Sequence, residues 1–284
     1  MIPILCYPQQ KHSIRASIVA DGMYRIEVGT VNLVAFLGND GWLLSDCAYQ
    51  SSSRQLDSLL LTLSSKPVKY LINTHWHYDH SGGNFFFHKD ATIISHEDTR
   101  EILSQNSFSD FWQEEYTAFP EYALPDITFR DKMVLYFNGE EIELIPFPGG
   151  HCRGDIVVYF KKLKVIHLGD LLFSFGFPAI DFEHGGCVQQ FAKNLEEILQ
   201  MLPDDVTIIA GHGPNFNVTE LQEYRDMIFE TLRIIEKSMG QGLGQKEIQG
   251  KNVLQNYEKW AKGYFSCDDW IEIVYSSLQY NAQK

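Results

Sequence analysis

The sequence predicts a single α/β domain in which two β-sheet layers are flanked by helices. Three observations carry that expectation. Strand-like and helix-like segments mix in both halves of the chain, no composition shift marks a linker between them, and an apolar content of 44% supplies a substantial core. The domain is expected to occupy residues 1–284, with a helical C-terminal extension over about 218–284.

Each element follows from local pattern. Residues 1–14 read as a loose lead-in. Strands follow at 23–28, 32–37 and 42–46, bounded by Gly22, Gly29 and the turn Gly38-Asn39-Asp40-Gly41. Leucines at 56, 59, 60, 61 and 63 recur at helical spacing over 52–64. Residues 68–73 and 91–95 are short apolar strands, and 96–103 reads as a helix. Residues 105–130 carry Phe108, Phe111, Trp112, Tyr116, Phe119 and Tyr122, interrupted by Pro120 and Pro125. A helix and then an irregular loop are expected there, with the rings serving either as core or as a pocket wall. Strands at 133–137 and 141–146 meet at an Asn138-Gly139 turn, and a second pair covers 155–160 and 164–168. A helix at 188–201 and a strand at 206–210 precede the helical end, which includes 268–278.

Charge and cysteine content narrow the function. With 23 basic against 37 acidic residues the net charge is −14, which repels polyanions, and no Lys/Arg cluster offsets it. Nucleic acid is therefore not an expected partner, nor is a membrane, because no stretch has the length of a spanning helix. Cys6, Cys47, Cys152, Cys187 and Cys267 are scattered without a CxxC pair, so neither a disulfide framework nor a cysteine-rich zinc site is expected. The N-terminus lacks the basic region of a signal peptide, and the expected location is the cytoplasm. A small-molecule substrate is the expected partner; the oligomeric state is open, with a homodimer one option.

The strongest signal is Thr74-His75-Trp76-His77-Tyr78-Asp79-His80-Ser81-Gly82-Gly83-Asn84, directly after the strand at 68–73. Open α/β sheets build their sites at strand C-terminal ends. His75 and His77 are two apart, so in extended backbone they leave on one side and can share a metal ion. Asp79 and His80 follow where the chain turns and can aim at a second centre. Imidazole with carboxylate suits zinc, iron or manganese better than calcium or magnesium. Further candidates lie beside other strands: His151 in a Gly-rich loop before one, Asp170 after Val165-Ile166-His167-Leu168-Gly169, and His212 after Ile208-Ile209-Ala210-Gly211. A carboxylate such as Asp170 can bridge two cations.

This set, HxHxDH followed by His, Asp and His at strand ends, resembles the metallo-β-lactamase superfamily over nearly the whole chain. The resemblance implies an αββα sandwich of two mixed sheets flanked by helices. It implies that His75, His77 and His151 hold one metal, that Asp79, His80 and His212 hold the other, and that Asp170 bridges them. Asp at 170 makes the chain more similar to the glyoxalase-II-like, lactonase-like and phosphodiesterase-like branches than to β-lactamases, which generally carry Cys or Ser there, and the Tyr- and Trp-bearing helical pattern from Trp260 to Leu278 resembles a cyclase-like branch. Cys152 stands where relatives commonly have Thr.

The expected cofactor is two zinc ions, with iron or manganese as alternatives. Two divalent cations about 3.5–4 Å apart hold a bridging hydroxide near neutral pH, which attacks a carbonyl or phosphoryl centre. The expected reaction is hydrolysis of a small ester, thioester, lactone or amide, with Asp79 also orienting the nucleophile and passing its proton to the leaving group. A β-lactamase, a mononuclear iron dioxygenase of the persulfide type and a non-catalytic binding protein are the competing readings. Asp46 and Asp155 are candidate acceptors for ligand imidazole N–H groups, or turn aspartates. Arg153 can meet an anionic substrate group or lie in solvent; Tyr78 can lie over the metals or pack; His184 can reach the pocket mouth. Phe173, Phe175, Phe177 and Ile180 form a pocket wall or core. His88, His96 and His167 read as structural. Specificity in such a scaffold resides in the loops at 105–130 and 173–187.

Overall fold

The computed structural model describes residues 12–109 and 114–282. Residues 1–11 of the lead-in expected at 1–14, and the rings of Phe111 and Trp112, lie outside the described residues. In chain order, strands β1 (Ile14–Ala20), β2 (Met23–Val28), β3 (Val31–Gly38) and β4 (Gly41–Ser45) precede helix α1 (Ser53–Leu63). Strand β5 (Val68–Ile72) leads into two short helices, α2 (Tyr78–Ser81) and α3 (Asn84–Phe87), then β6 (Thr92–His96) and α4 (Glu97–Leu103). Short strands β7 (Ser107–Ser109), β8 (Glu114–Tyr116) and β9 (Ile127–Phe129) follow. The second half holds β10 (Met133–Phe137), β11 (Glu140–Pro146), β12 (Ile156–Phe160), β13 (Val165–His167), α5 (Val188–Met201) and β14 (Thr207–Ile209). Helices α6 (Val218–Gly240), α7 (Gln245–Gly250) and α8 (Cys267–Ala282) close the chain.

The strands form a seven-stranded sheet, β1-β2-β3-β4-β5-β6-β9, and a five-stranded sheet, β10-β11-β12-β13-β14. Alternation along the strands explains their stacking. In β12, Ile156, Val158 and Phe160 point into the cluster shared with Val34, Phe36, Leu43, Ile72 and Ile94 of the first sheet. Val157 and Tyr159 point the other way, into the cluster with α5, α6 and α8. Trp42 and Leu44 of β4 likewise meet Leu56 and Leu60 of α1 on the outer face of the first sheet. Strands buried on both faces read as continuous apolar runs. The result is helix, sheet, sheet, helix.

Three expectations need correction. Strand β1 has no counterpart among the expected strands: it is an edge strand with four of seven residues exposed, so it carries no buried-face alternation. The helix expected after 105 is a small antiparallel hairpin, β7 with β8. Within the expected loop, β9 pairs parallel with β6 and extends the first sheet, its three residues being too short for a periodic signal. Among the described residues, Cys47, Cys152 and Cys267 are free thiols, and no helix is long and apolar enough to cross a membrane.

Candidate metal centre

All seven residues singled out by spacing converge at one end of the two sheets. His75 and His77 follow β5, and Asp79 and His80 sit in α2. His151 comes from the β11–β12 loop, Asp170 from the turn after β13, and His212 from the loop after β14. Backbone links between the sheets fix this end. Asn32 of β3 donates its side-chain amide to Ala210 O at 2.9 Å and to Gly213 O at 2.7 Å. Gly211 N donates to Gly169 O at 2.8 Å, locking the His212 loop to the Asp170 turn.

The ligating atoms fall into two groups, His75/His77/His151/Asp170 and Asp79/His80/His212, each with its atoms within 4.8 Å of one another. Asp170 faces both. Its Oδ2 lies 3.7 Å from His75 Nε2 and 3.6 Å from His151 Nε2, while Oδ1 lies 3.1 Å from His80 Nε2 and 3.4 Å from His212 Nε2. Asp79 Oδ2 is 3.4 Å from His212 Nε2 and 3.6 Å from His80 Nε2.

The outer nitrogen of four of the five imidazoles is held by a hydrogen-bond partner and that of His77 faces a carboxylate, an arrangement that turns the other nitrogen inward. His151 Nδ1 donates to Ala179 O at 2.9 Å and His212 Nδ1 to Thr30 O at 3.0 Å. His80 Nδ1 donates to Asp46 Oδ2 at 2.8 Å, and His77 Nε2 faces Asp181 Oδ2 at 3.1 Å. Thr74 Oγ1 gives its proton to Asp46 Oδ2 at 2.8 Å, leaving a lone pair for His75 Nδ1 at 3.1 Å. Five ring nitrogens thus gather about two carboxylates.

Two observations show that this donor set fits a divalent metal. His75 Nε2 is buried with no hydrogen-bond partner, a costly condition for an isolated polar atom. His151 Nε2 and His77 Nδ1 hydrogen-bond at 2.7 Å, and both belong to the group of four candidate ligand atoms within 4.8 Å of one another. Charge agrees. Burial pulls His212 down, but Asp170 and Asp79 outweigh it and raise the imidazole to about 9. His80 is raised by Asp170, Asp79 and Asp46 against the same burial. Burial would raise Asp79, yet His80 and His212 lower it to about 2. Burial, then His77, lowers His151 to about 4. The protons on His80 and His212 are what a metal ion displaces.

The other expected residues divide. Asp46 accepts from a ligand imidazole as expected. Asp155 does not: its Oδ2 accepts from the backbone N–H of His151 at 2.8 Å and of Cys152 at 2.9 Å, shaping the loop instead. Cys152 Sγ donates to Asp155 Oδ1 at 3.0 Å, so the thiol belongs to that turn. Tyr78 donates its hydroxyl to Gln50 and packs near Phe119. Arg153 pairs with Glu101 at 3.0 Å, and His184 Nδ1 with Asp181 at 2.9 Å. Phe173 stacks on His212 at 5.0 Å, whereas Phe177 stacks on Trp270 in the core and Ile180 is buried there too. Of the histidines read as structural, His96 caps α4, His167 bonds Ser45 between the sheets, and His88 packs against Tyr122.

Sequence reasoning missed Asp181, Thr74, Thr30, Tyr49 and Tyr264. Asp181 alone left a trace, as the carboxylate three residues before His184.

A family model described as the metallo-beta-lactamase superfamily matches residues 26–212. The chain belongs to the metallo-β-lactamase superfamily. It is 30% identical over 147 residues to a hydroxyacylglutathione hydrolase of Pelagibacter ubique, a match covering 51% of this chain and 52% of that one. The chain thus spans about half the length of that relative. A human acyl-coenzyme A thioesterase is 22% identical over 165 residues, covering 53% of this chain and 58% of that one. Among solved structures, a metallo-beta-lactamase from Pontibacter korlensis superimposes with a TM-score of 0.64 at 18% identity. It covers 76% of this chain and 99% of that one, a likeness of fold.

Proposed function

We propose that the chain is a dinuclear zinc hydrolase that cleaves a small ester or thioester. The observation that carries this reading is Asp170, whose two oxygens face the two histidine groups separately. His75, His77 and His151 would hold one ion, Asp79, His80 and His212 the other, with Asp170 between them. When bound, two such ions supply Lewis acidity and a water acidified to near neutral pH.

The chain's own residues do the rest. Asp46, Asp181, Thr74 and the carbonyls of Thr30 and Ala179 hold the five imidazoles in register, so nothing need reorganise during turnover. Asp79 is the most exposed of the seven, with 24% of its side chain open, against 5% for Asp170. Held ionised by His80 and His212, it accepts a hydrogen bond from the attacking water and stands where a proton passes to the leaving group. The relatives named hydroxyacylglutathione hydrolase and acyl-coenzyme A thioesterase support transfer of an acyl group to water. The substrate in this reading is a small molecule rather than nucleic acid, in keeping with the net charge of −14.

Elemental analysis of protein purified without chelator tests this. About two zinc per chain are expected, falling to about one or fewer in Asp170→Ala, with thioester turnover lost at least ~100-fold. One iron per chain, or β-lactam turnover above that of any ester or thioester, overturns it.

A further inference from the structure

Beside the ligands the chain assembles a rim that the chemistry above leaves unused. Tyr264, from the segment between a short helical turn (Gln255–Trp260) and α8, lies edge-on to three rings. These are Phe173 at 6.4 Å, Phe175 at 5.1 Å and His212 at 5.8 Å. Tyr264 stays 48% exposed, while His212 behind it is 4% exposed. Its hydroxyl donates to Thr30 Oγ1 at 2.9 Å and lies 3.4 Å from His212 Nδ1. Tyr49 lies near the same hydroxyl, its ring stacked on His12 at 4.4 Å. Three hydroxyls therefore gather on the His212 side of the site. Burial first, and the carboxylates Asp79 and Asp170 after it, push both phenols up, so both remain donors at neutral pH.

Among the described residues, no lysine or arginine forms an ion pair or hydrogen bond with any of the seven candidate ligands. Arg153 is engaged by Glu101, and Arg25 by Glu27 and Asn215. A carboxylate or phosphate on the substrate would find phenols and phenyl rings along this rim, not a basic partner bound to the ligands, inside an acidic protein.

We propose that Tyr264, with Thr30 and Tyr49, forms the substrate-binding rim and selects an uncharged ester. The hydroxyls receive an oxygen of the ester, and Phe173 and Phe175 carry its apolar part. This rests on the hydrolase reading and narrows it. The acyl chemistry of the relatives is kept, and their anionic glutathione and coenzyme A groups are not. The proton of Tyr264 that now goes to Thr30 turns to the arriving ester oxygen.

The test uses the zinc-loaded full chain and two esters of similar size, neutral 4-nitrophenyl butyrate and the anionic 4-nitrophenyl hemisuccinate. Wild type is expected to favour the neutral ester at least ~30-fold in kcat/KM. Tyr264→Phe should raise its KM about tenfold with kcat within about twofold, the loss of one hydrogen bond. Tyr264→Lys should improve the hemisuccinate about tenfold relative to the butyrate. Calorimetric binding of the two matching 4-nitroanilides gives a readout independent of turnover, with the same order of affinities. Thr30→Val removes Tyr264's partner and is expected to raise KM in the same direction, which keeps the test open if a Tyr264 variant melts early. Equal kcat/KM for both esters overturns the proposal, as does a Tyr264→Phe variant with unchanged KM and anilide affinity. Neutral-selective, Tyr264-dependent anilide binding without ester turnover upholds the rim and refutes the hydrolase reading instead.

Discussion

Asp46→Asn isolates the role of imidazole orientation, because it barely changes volume and removes one charge at a fully buried position. The Asp46 carboxylate accepts three donors: Thr74 N–H at 2.7 Å on Oδ1, and Thr74 Oγ1–H and His80 Nδ1–H on Oδ2, both at 2.8 Å. An amide has one acceptor oxygen, so whichever way the new side chain turns, its NH2 meets a donor. With the NH2 toward His80, that ring must flip its tautomer, present Nε2–H inward and lose its lone pair. Thr74 Oγ1 must then also accept, sending its own proton toward His75 Nδ1. One orphaned buried donor costs about 1–3 kcal/mol of stability, and losing an orienting partner costs about 10–100-fold in metal affinity. The assay is zinc titration against a chromophoric chelator, paired with urea unfolding of the metal-free protein. Weaker zinc binding by at least ~10-fold at one or both sites is expected. Two zinc ions bound with wild-type affinity, at an unchanged unfolding midpoint, would show that Asp46 does not set the tautomers and would refute the reasoning.

Two further outcomes follow from the same geometry. His212 is raised from its ordinary value of 6.5 to about 9, so the stability it gives the metal-free protein is complete below 6.5 and lost as pH rises through 9. Zinc affinity moves the opposite way, rising over that window as the competing proton leaves. Urea midpoints and zinc titrations between pH 6 and 10 check both signs, and a metal-free midpoint that is flat or rises with pH contradicts them. Gly211→Ala places a methyl 2.2 Å from Asp170 Oδ1 and 2.7 Å from the Gly169 carbonyl carbon. Overpacking there should cost about 1–3 kcal/mol and push the carboxylate off one histidine group, so zinc content falls toward one per chain; a variant retaining two zinc and wild-type melting contradicts the bridging geometry.

Much of the site was legible because its ligands sit where sequence pattern is strongest. A buried strand followed by HxHxDH marks itself, and β2 and α5 fall at the expected 23–28 and 188–201. What escaped has physical causes. Strand β1 is an exposed edge, and β9 is three residues long, so neither has a period to detect. Of the groups orienting the five imidazoles, two are backbone carbonyls, of Thr30 and Ala179, which any residue type supplies. Tyr264 reaches His212 only because the helical C-terminal segment folds back over Phe173 and Phe175.

The two aspartates expected to orient imidazoles show where the limit lies. Asp155 is four residues from His151, and at that separation its carboxylate is best placed for the backbone N–H groups of its own turn. Asp46 is 34 residues from His80 and comes from the end of a neighbouring strand, at φ 67°, so its carboxylate crosses to a side chain it could not reach locally. Asp181 behaves the same way toward His77, its Oδ2 3.1 Å from His77 Nε2. Near in sequence, a carboxylate shapes the loop that carries the ligand; far in sequence, it aims the ligand itself. Composition around a histidine therefore identifies the first kind, and only strand order identifies the second.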